Sequence, residues 1–361
     1  MDRRDFLGMA AAGSAALATP ALAQGKTKLA KAIADHAAAK NFHGTVLAAK
    51  GDKIAYHGAF GLADRAHNVP CARGTLYRIA SITKLFASTL ALRFVERGRL
   101  KLDSVIRDTL PAYRGEGAAR VTIRQLLNHT SGIANFETVT SFEQAIDEGM
   151  PAYQLPHTSQ ALMDRFASGK LVSEPGKAFS YNNADYVILG KIIEALAGKP
   201  FDAALKEEIL DPLGMRDTGI LYTRAITPGL APTYFRNGEE PLVNDLPVFW
   251  ENWYAAGGMV SSAPDLLKFA TALYGGKLIA PPQMAALLTP GLDDYGFGLW
   301  IASLKVGEKS HRFAQRPGSI MGANSLLLRM LDDNVTIVIL ANTNQTDIDA
   351  FGFHIARTML G

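Results

Sequence analysis

A single cysteine, Cys71, stands among the 361 residues of the chain. That excludes an intramolecular disulfide, a cysteine-built zinc site and a Cys-x-x-Cys redox pair. The residue itself reads as a small buried hydrophobe. Charge of one sign is also lacking: 37 basic and 34 acidic residues leave a net charge of +3, too balanced to argue for a nucleic-acid partner. No internal run reaches the roughly 18 apolar residues that a membrane span needs. The Gly-x-Ser-x-Gly elbow, the lysine-bearing phosphate loop and the dinucleotide glycine fingerprint are missing, so neither an elbow nucleophile nor nucleotide binding is supported. The eight histidines are scattered, with no His-Glu-x-x-His or His-x-His among them. No metal or cofactor is expected.

What is present begins with an address. Arg3-Arg4 followed by Phe6-Leu7, an Ala-rich stretch to Leu22 and a terminal Ala21-Leu22-Ala23 read as a twin-arginine-type export signal, residues 1–23. The other reading is an uncleaved Ala-rich helix. The mature chain, residues 24–361, is then expected in the periplasm, folded before export. A chain 48% hydrophobic and 20% charged has ample core for one large domain or two intimate ones.

Lys26–Lys40 places Leu29, Ile33 and Ala37 on one helical face. Thr45–Ala48 and Ile54–Tyr56 flank Gly51-Asp52, a hairpin signal. Residues 81–98, Ala184–Leu196 and Asp202–Ile209 are helical in pattern. Strands return at Phe297–Leu304, His311–Gln315, Ser325–Met330 and Thr336–Leu340, with a turn at Asp332-Asp333-Asn334, and a last helix covers Asp347–Leu360. The predicted fold class is α+β: an antiparallel sheet flanked by helices plus an all-helical insertion. Residues 24–80 with 256–361 would form the sheet domain and 81–255 the helical one.

Ser81-Ile82-Thr83-Lys84 is the chain's only Ser-x-x-Lys. It opens the helix, and residues three apart share a helix face, so Lys84 lies beside Ser81. A serine hydroxyl needs a base to become a nucleophile. A lysine near a helix's positive end and partly desolvated favours its neutral, proton-accepting form. A capping Ser81 with an exposed Lys84 is the bland alternative. Tyr181-Asn182-Asn183, the only Tyr-x-Asn, precedes a helix. A tyrosine near a lysine can act as a base, and Asn183 can donate to a substrate carbonyl; the alternative is a packed tyrosine and a capping asparagine.

Together these residues resemble the serine beta-lactamase and penicillin-binding-protein family, in particular its class C and esterase-like branch. Leu126–Gly132, Glu174-Pro175-Gly176, Phe179-Ser180-Tyr181 and Ala256–Ser262 extend the resemblance over most of residues 30–345. It implies a two-step acyl transfer, with Ser81 attacking a carbonyl and Lys84 and Tyr181 sharing the proton work. Water then releases the acyl-enzyme. The resemblance also implies a third motif, usually Lys-Thr-Gly or His-x-Gly, on a strand lining the cleft. Arg316-Pro317-Gly318, at the end of strand His311–Gln315, is the candidate. There Gly318 would allow close approach and the Ser319 and Ser81 N–H groups would form an oxyanion hole. Arg316 would attract a substrate carboxylate or favour the Tyr181 anion; alternatively it is an exposed strand-end charge. Arg316-Pro317 and Met321-Gly322-Ala323, where the family usually has Pro-Gly-Phe, depart from the pattern and count against beta-lactam or D-Ala-D-Ala substrates more than against the chemistry.

The expected activity is therefore that of an exported serine hydrolase acting on an ester, amide or lactam bond of a small-molecule or peptide substrate. A carboxylesterase or D-amino-acid-type peptidase is favoured over an efficient beta-lactamase. The alternative is a non-catalytic peptidoglycan- or ligand-binding member of the same fold. Phe249, Trp250, Trp253 and Tyr254 would line an acyl pocket or pack a core, and His129 reads as structural. Oligomeric state is not legible.

Overall fold

The computed structural model describes residues 20–139 and 141–361, with side chains from Thr27 onward. Most of the expected export address lies outside the described residues. The helix expected over Lys26–Lys40 falls in α1 (Pro20–Ala39). The turn at Gly51-Asp52 forms as expected: β1 (Gly44–Lys50) and β2 (Lys53–Phe60) pair antiparallel, with Gly51 at φ +62°. Helix α2 spans Thr83–Glu96 and α3 spans Asn183–Ala197. Helix α4 (Ala263–Tyr274) starts at Ser262, whose side chain accepts the Asp265 N–H.

Four strands and a helix complete the chain: β3 (Trp300–Val306), β4 (Lys309–Ile320), β5 (Ala323–Met330), β6 (Val335–Ala341) and α5 (Ile348–Leu360). They join the hairpin in one antiparallel sheet of order β3-β4-β5-β6-β1-β2. The first and last thirds of the chain meet at β1–β6, where Gly44 pairs with Ala341 and Lys50 with Val335. Every residue of β6 is buried, the pattern of a strand covered on both faces.

The period of two sorts the sheet's residues. Val46, Ala48, Ile337 and Ile339 face α1 and α5, whereas Leu47, Ala49, Val338 and Leu340 face the core shared with α2, α3 and α4. Phe86 of α2 stacks on Phe269 of α4 at 3.8 Å between centroids, tying the helical core together.

Two of the boundaries that differ from expectation bear on the site. Strand β4 does not end at Gln315 but runs to Ile320, so Arg316-Pro317-Gly318 lie within it. The reason is the edge: β3 pairs with β4 only as far as Gln315, whereas β5 pairs on to Ile320. A half-free strand tolerates a residue with no N–H to donate. The helix expected from residue 81 also begins later, because Ala80–Ile82 form a tighter 3-10 turn ahead of Thr83.

Candidate active site

The turn before α2 holds Ser81 where sheet and helices meet. Ala80 has φ +46°, the left-handed region that a residue with a Cβ seldom adopts. Thr83 fixes it, donating its hydroxyl to the Ala80 carbonyl at 2.7 Å and accepting the Met259 N–H at 3.3 Å. From the sheet, Ser325 Oγ donates to the Ile79 carbonyl at 2.7 Å. Strand β4 passes so close that a Cβ on Gly318 would lie 2.5 Å from Ile79 O and 2.9 Å from Ser81 N. Only glycine permits that approach.

Lys84 is fully buried, not exposed. Its Nζ donates to Ser81 Oγ at 3.2 Å, to Asn183 Oδ1 at 2.6 Å and to the Ala256 carbonyl at 2.8 Å. Burial lowers its pKa, with Arg316 adding to the effect and Tyr181 opposing it. The Tyr181 phenol oxygen lies 2.8 Å from Ser81 Oγ. Burial alone would raise the Tyr181 pKa; the positive charges of Arg316 and Lys84 outweigh it, and the pKa falls below that of ordinary tyrosine. Both capping and site roles exist in the Tyr-x-Asn segment, on different residues. Asn182 caps α3, accepting the Ala184 N–H at 2.9 Å, and Asn183 reaches Lys84.

Arg316 is neither an exposed strand-end charge nor a wall of the cavity. It is 2% exposed. One guanidinium nitrogen donates to the Tyr181 oxygen at 2.6 Å and the other to the Tyr295 oxygen at 2.9 Å. Its carbon sits 5.2 Å from the Trp300 ring centroid. Of the two roles expected for its charge, it is placed for the second, on the Tyr181 anion. Arg316 and Gly318, two apart on β4, share one face of the strand, so a single edge supplies both the cation beside Tyr181 and the backbone beside Ser81.

Behind Tyr181 lies a buried pair, of which sequence reasoning weighed His129 and missed Asp185. His129 packs against Tyr181 with the rings tilted and their centroids 4.4 Å apart. His129 Nδ1 accepts the Asn182 N–H at 3.3 Å and lies 2.9 Å from Asp185 Oδ2. Both side chains are wholly buried. Burial lowers the His129 pKa far below its usual value and raises that of Asp185 far above its own. Both shifts favour the neutral forms, and the Asn182 N–H at Nδ1 favours Asp185 as the donor between them. His129 thus has the structural place expected of it, touching Tyr181 by packing alone.

Ser81, Tyr181, Asn183 and Ser319 open onto a cavity of about 520 Å³. Its other walls are mainly apolar, among them Phe136, Val139, Met150, Tyr153 and Met321. Of the four aromatics weighed above, only Trp253 lines it, stacked on Tyr153 at 3.8 Å. Trp250 packs behind Trp253 at 5.0 Å. Glu137 also lines the cavity; it accepts from Asn183 Nδ2 at 2.7 Å and from the Tyr153 hydroxyl. No motif announces this carboxylate, which stands alone in the segment after Gly132. No group of acidic, histidine or cysteine side chains among the described residues is arranged to hold a metal ion, and no described helix is long and apolar enough to cross a membrane.

Comparison with known proteins shows the family. The Beta-lactamase family model matches residues 29–355. The esterase EstB of Burkholderia gladioli is 30% identical over 340 residues, covering 82% of this chain and 85% of the esterase. A penicillin-binding protein of Bacillus subtilis (strain 168) is 29% identical over 84% of this chain and 69% of the relative. Among solved structures, the D-amino acid amidase of Ochrobactrum anthropi SV3 superposes with a TM-score of 0.77 at 26% identity, covering 93% of this chain and 98% of that one.

Proposed function

The chain belongs to the beta-lactamase family and is a serine hydrolase; from that premise we propose that Ser81 is its nucleophile, with Tyr181 moving the protons and Lys84 supporting both. The observation that carries this is the convergence of the Tyr181 oxygen at 2.8 Å and the Lys84 nitrogen at 3.2 Å on Ser81 Oγ. As Oγ attacks the substrate carbonyl, the Tyr181 phenolate takes the serine proton. The N–H groups of Ser81 and Ser319 receive the developing oxyanion. Tyr181 then returns the proton to the leaving group, and an acyl-enzyme remains. A water activated by the regenerated phenolate attacks the acyl carbon, and the proton passes back to Ser81 Oγ on release. Lys84 holds Ser81 and Asn183 in place and, with Arg316, stabilises the phenolate.

The substrate is an ester or amide rather than a beta-lactam. Two features favour this: the similarity to an esterase and to a D-amino acid amidase, and the burial of Arg316 against tyrosines, away from the cavity where a lactam's carboxylate would need a cation. The proposal includes export to the periplasm by the twin-arginine-type signal at Arg3-Arg4. Retention of the precursor by an Arg3→Lys, Arg4→Lys double variant, read by cell fractionation, tests that part.

The test of the activity is labelling. A fluorophosphonate probe should modify Ser81, seen by peptide mapping, and p-nitrophenyl esters should be turned over; Ser81→Ala should do neither. A protein that is never labelled and turns over no ester is not a hydrolase of this kind.

A further inference from the structure

The cavity beside Ser81 is apolar apart from a few polar groups, and it contains one charge. Glu137 is half-buried and makes no ion pair among the described residues. A carboxylate has about four acceptor positions, and only two are met, by Asn183 Nδ2 and the Tyr153 hydroxyl. No residue lining the cavity is Lys, Arg or His. The two cations of the site stand behind its walls: Lys84 behind the Asn183 amide and Arg316 behind Tyr181. The Lys84 charge acts on Glu137 only across the Asn183 amide, so the carboxylate keeps acceptor positions for a cationic ligand in the cavity. Tyr153 and Trp253, stacked on each other, wall the cavity with it.

We propose that Glu137 is a specificity-determining residue that selects substrates whose acyl part carries a protonated amine and disfavours those that carry a carboxylate there. This deepens the hydrolase reading above and rests on it. Asn183 spans the space between Lys84 and Glu137, so the ammonium group would sit on the Asn183 side of Ser81, within the walled cavity. The carbonyl would stay at Ser81 Oγ. Carboxylate-bearing acyl groups would meet one fixed negative charge and no positive one.

Three p-nitrophenyl esters of similar length test this: those of 6-aminohexanoic acid, heptanoic acid and adipic acid (as the monoester). They end in an ammonium, a methyl and a carboxylate group. With the full-length wild-type protein, kcat/KM should rank ammonium over methyl over carboxylate, with about tenfold between ammonium and methyl, the size of one partly desolvated ion pair. Added salt should narrow that gap. In Glu137→Gln the ammonium-to-methyl ratio should fall to near one. Equal rates for the three esters in the wild type, or preference for the carboxylate, would overturn the inference while leaving the hydrolase reading intact. An equal fall for all three in Glu137→Gln would overturn it too, because Glu137 would then act through Asn183 on Lys84. If the wild type hydrolyses none of them, the hydrolase reading fails and this inference with it. The wild-type ranking needs no variant to fold.

Discussion

Replacing Arg316 by methionine tests how the site makes a tyrosine into a base. The substitution keeps an unbranched buried side chain but removes the guanidinium, which reaches Tyr181 at 2.6 Å. A hydrogen bond to a charged group is worth about 1.5–3 kcal/mol. Each 1.36 kcal/mol corresponds to about tenfold in rate, so kcat/KM at neutral pH should fall between about 10-fold and 100-fold. The sign of the pH effect is fixed. Arg316 lowers the pKa of both Tyr181 and Lys84. Its loss raises both, so the acid limb of the pH–rate profile moves to higher pH whichever group carries it. Activity should therefore recover as the pH rises. Arg316→Lys should fall in between, since an ammonium keeps the charge but lacks the fork that serves Tyr181 and Tyr295 together. The assay is hydrolysis of a p-nitrophenyl ester across pH, with thermal melting to show that each variant is folded. A folded Arg316→Met protein whose acid limb stays in place, with only a lower plateau, would refute the argument.

Tyr181→Phe keeps the ring packing and removes the proton carrier; turnover should drop by at least about 100-fold, and unchanged turnover would remove Tyr181 from the mechanism. Gly318→Ala places a methyl group 2.5 Å from Ile79 O and 2.9 Å from Ser81 N. It should cost about 1–3 kcal/mol in denaturant titration and at least tenfold in kcat/KM; a variant of wild-type stability and rate would show that strand and turn part freely. Asp185→Asn should be tolerated, because a neutral Asp185 and an asparagine can each donate to His129 Nδ1. A rate within about threefold of wild type is expected at pH 7, and a large loss or a displaced pH profile would mean that Asp185 is ionised.

The sheet was legible because its strands are either alternating or continuously apolar and are punctuated by turn dipeptides such as Gly51-Asp52. Ser81, Lys84, Tyr181 and Asn183 were legible through short spacings that chemistry constrains. The end of β4 was misplaced because Pro317 reads as a break, and only the partial pairing of β3 shows why it is not one. Arg316 was singled out by its charge, but its burial against Tyr295 and Trp300 depends on side chains brought together from separate segments. Glu137 and Asp185 gave no signal at all. A lone acid in a loop or in the first turn of a helix looks like solvated charge until the fold encloses it.

The pairing of β1 with β6 also governs how the protein comes to exist. A strand made early on the ribosome waits for a partner nearly 300 residues later, so this seam of the sheet cannot close during most of synthesis. Long-range pairing of this kind is slow, because loop closure precedes its reward. Until β4 arrives, nothing covers the backbone beside Ser81. A chain arrested before β4 would carry Ser81, Lys84 and Tyr181 and still lack a hydrolytic site, so activity should appear only once synthesis has passed the last strands.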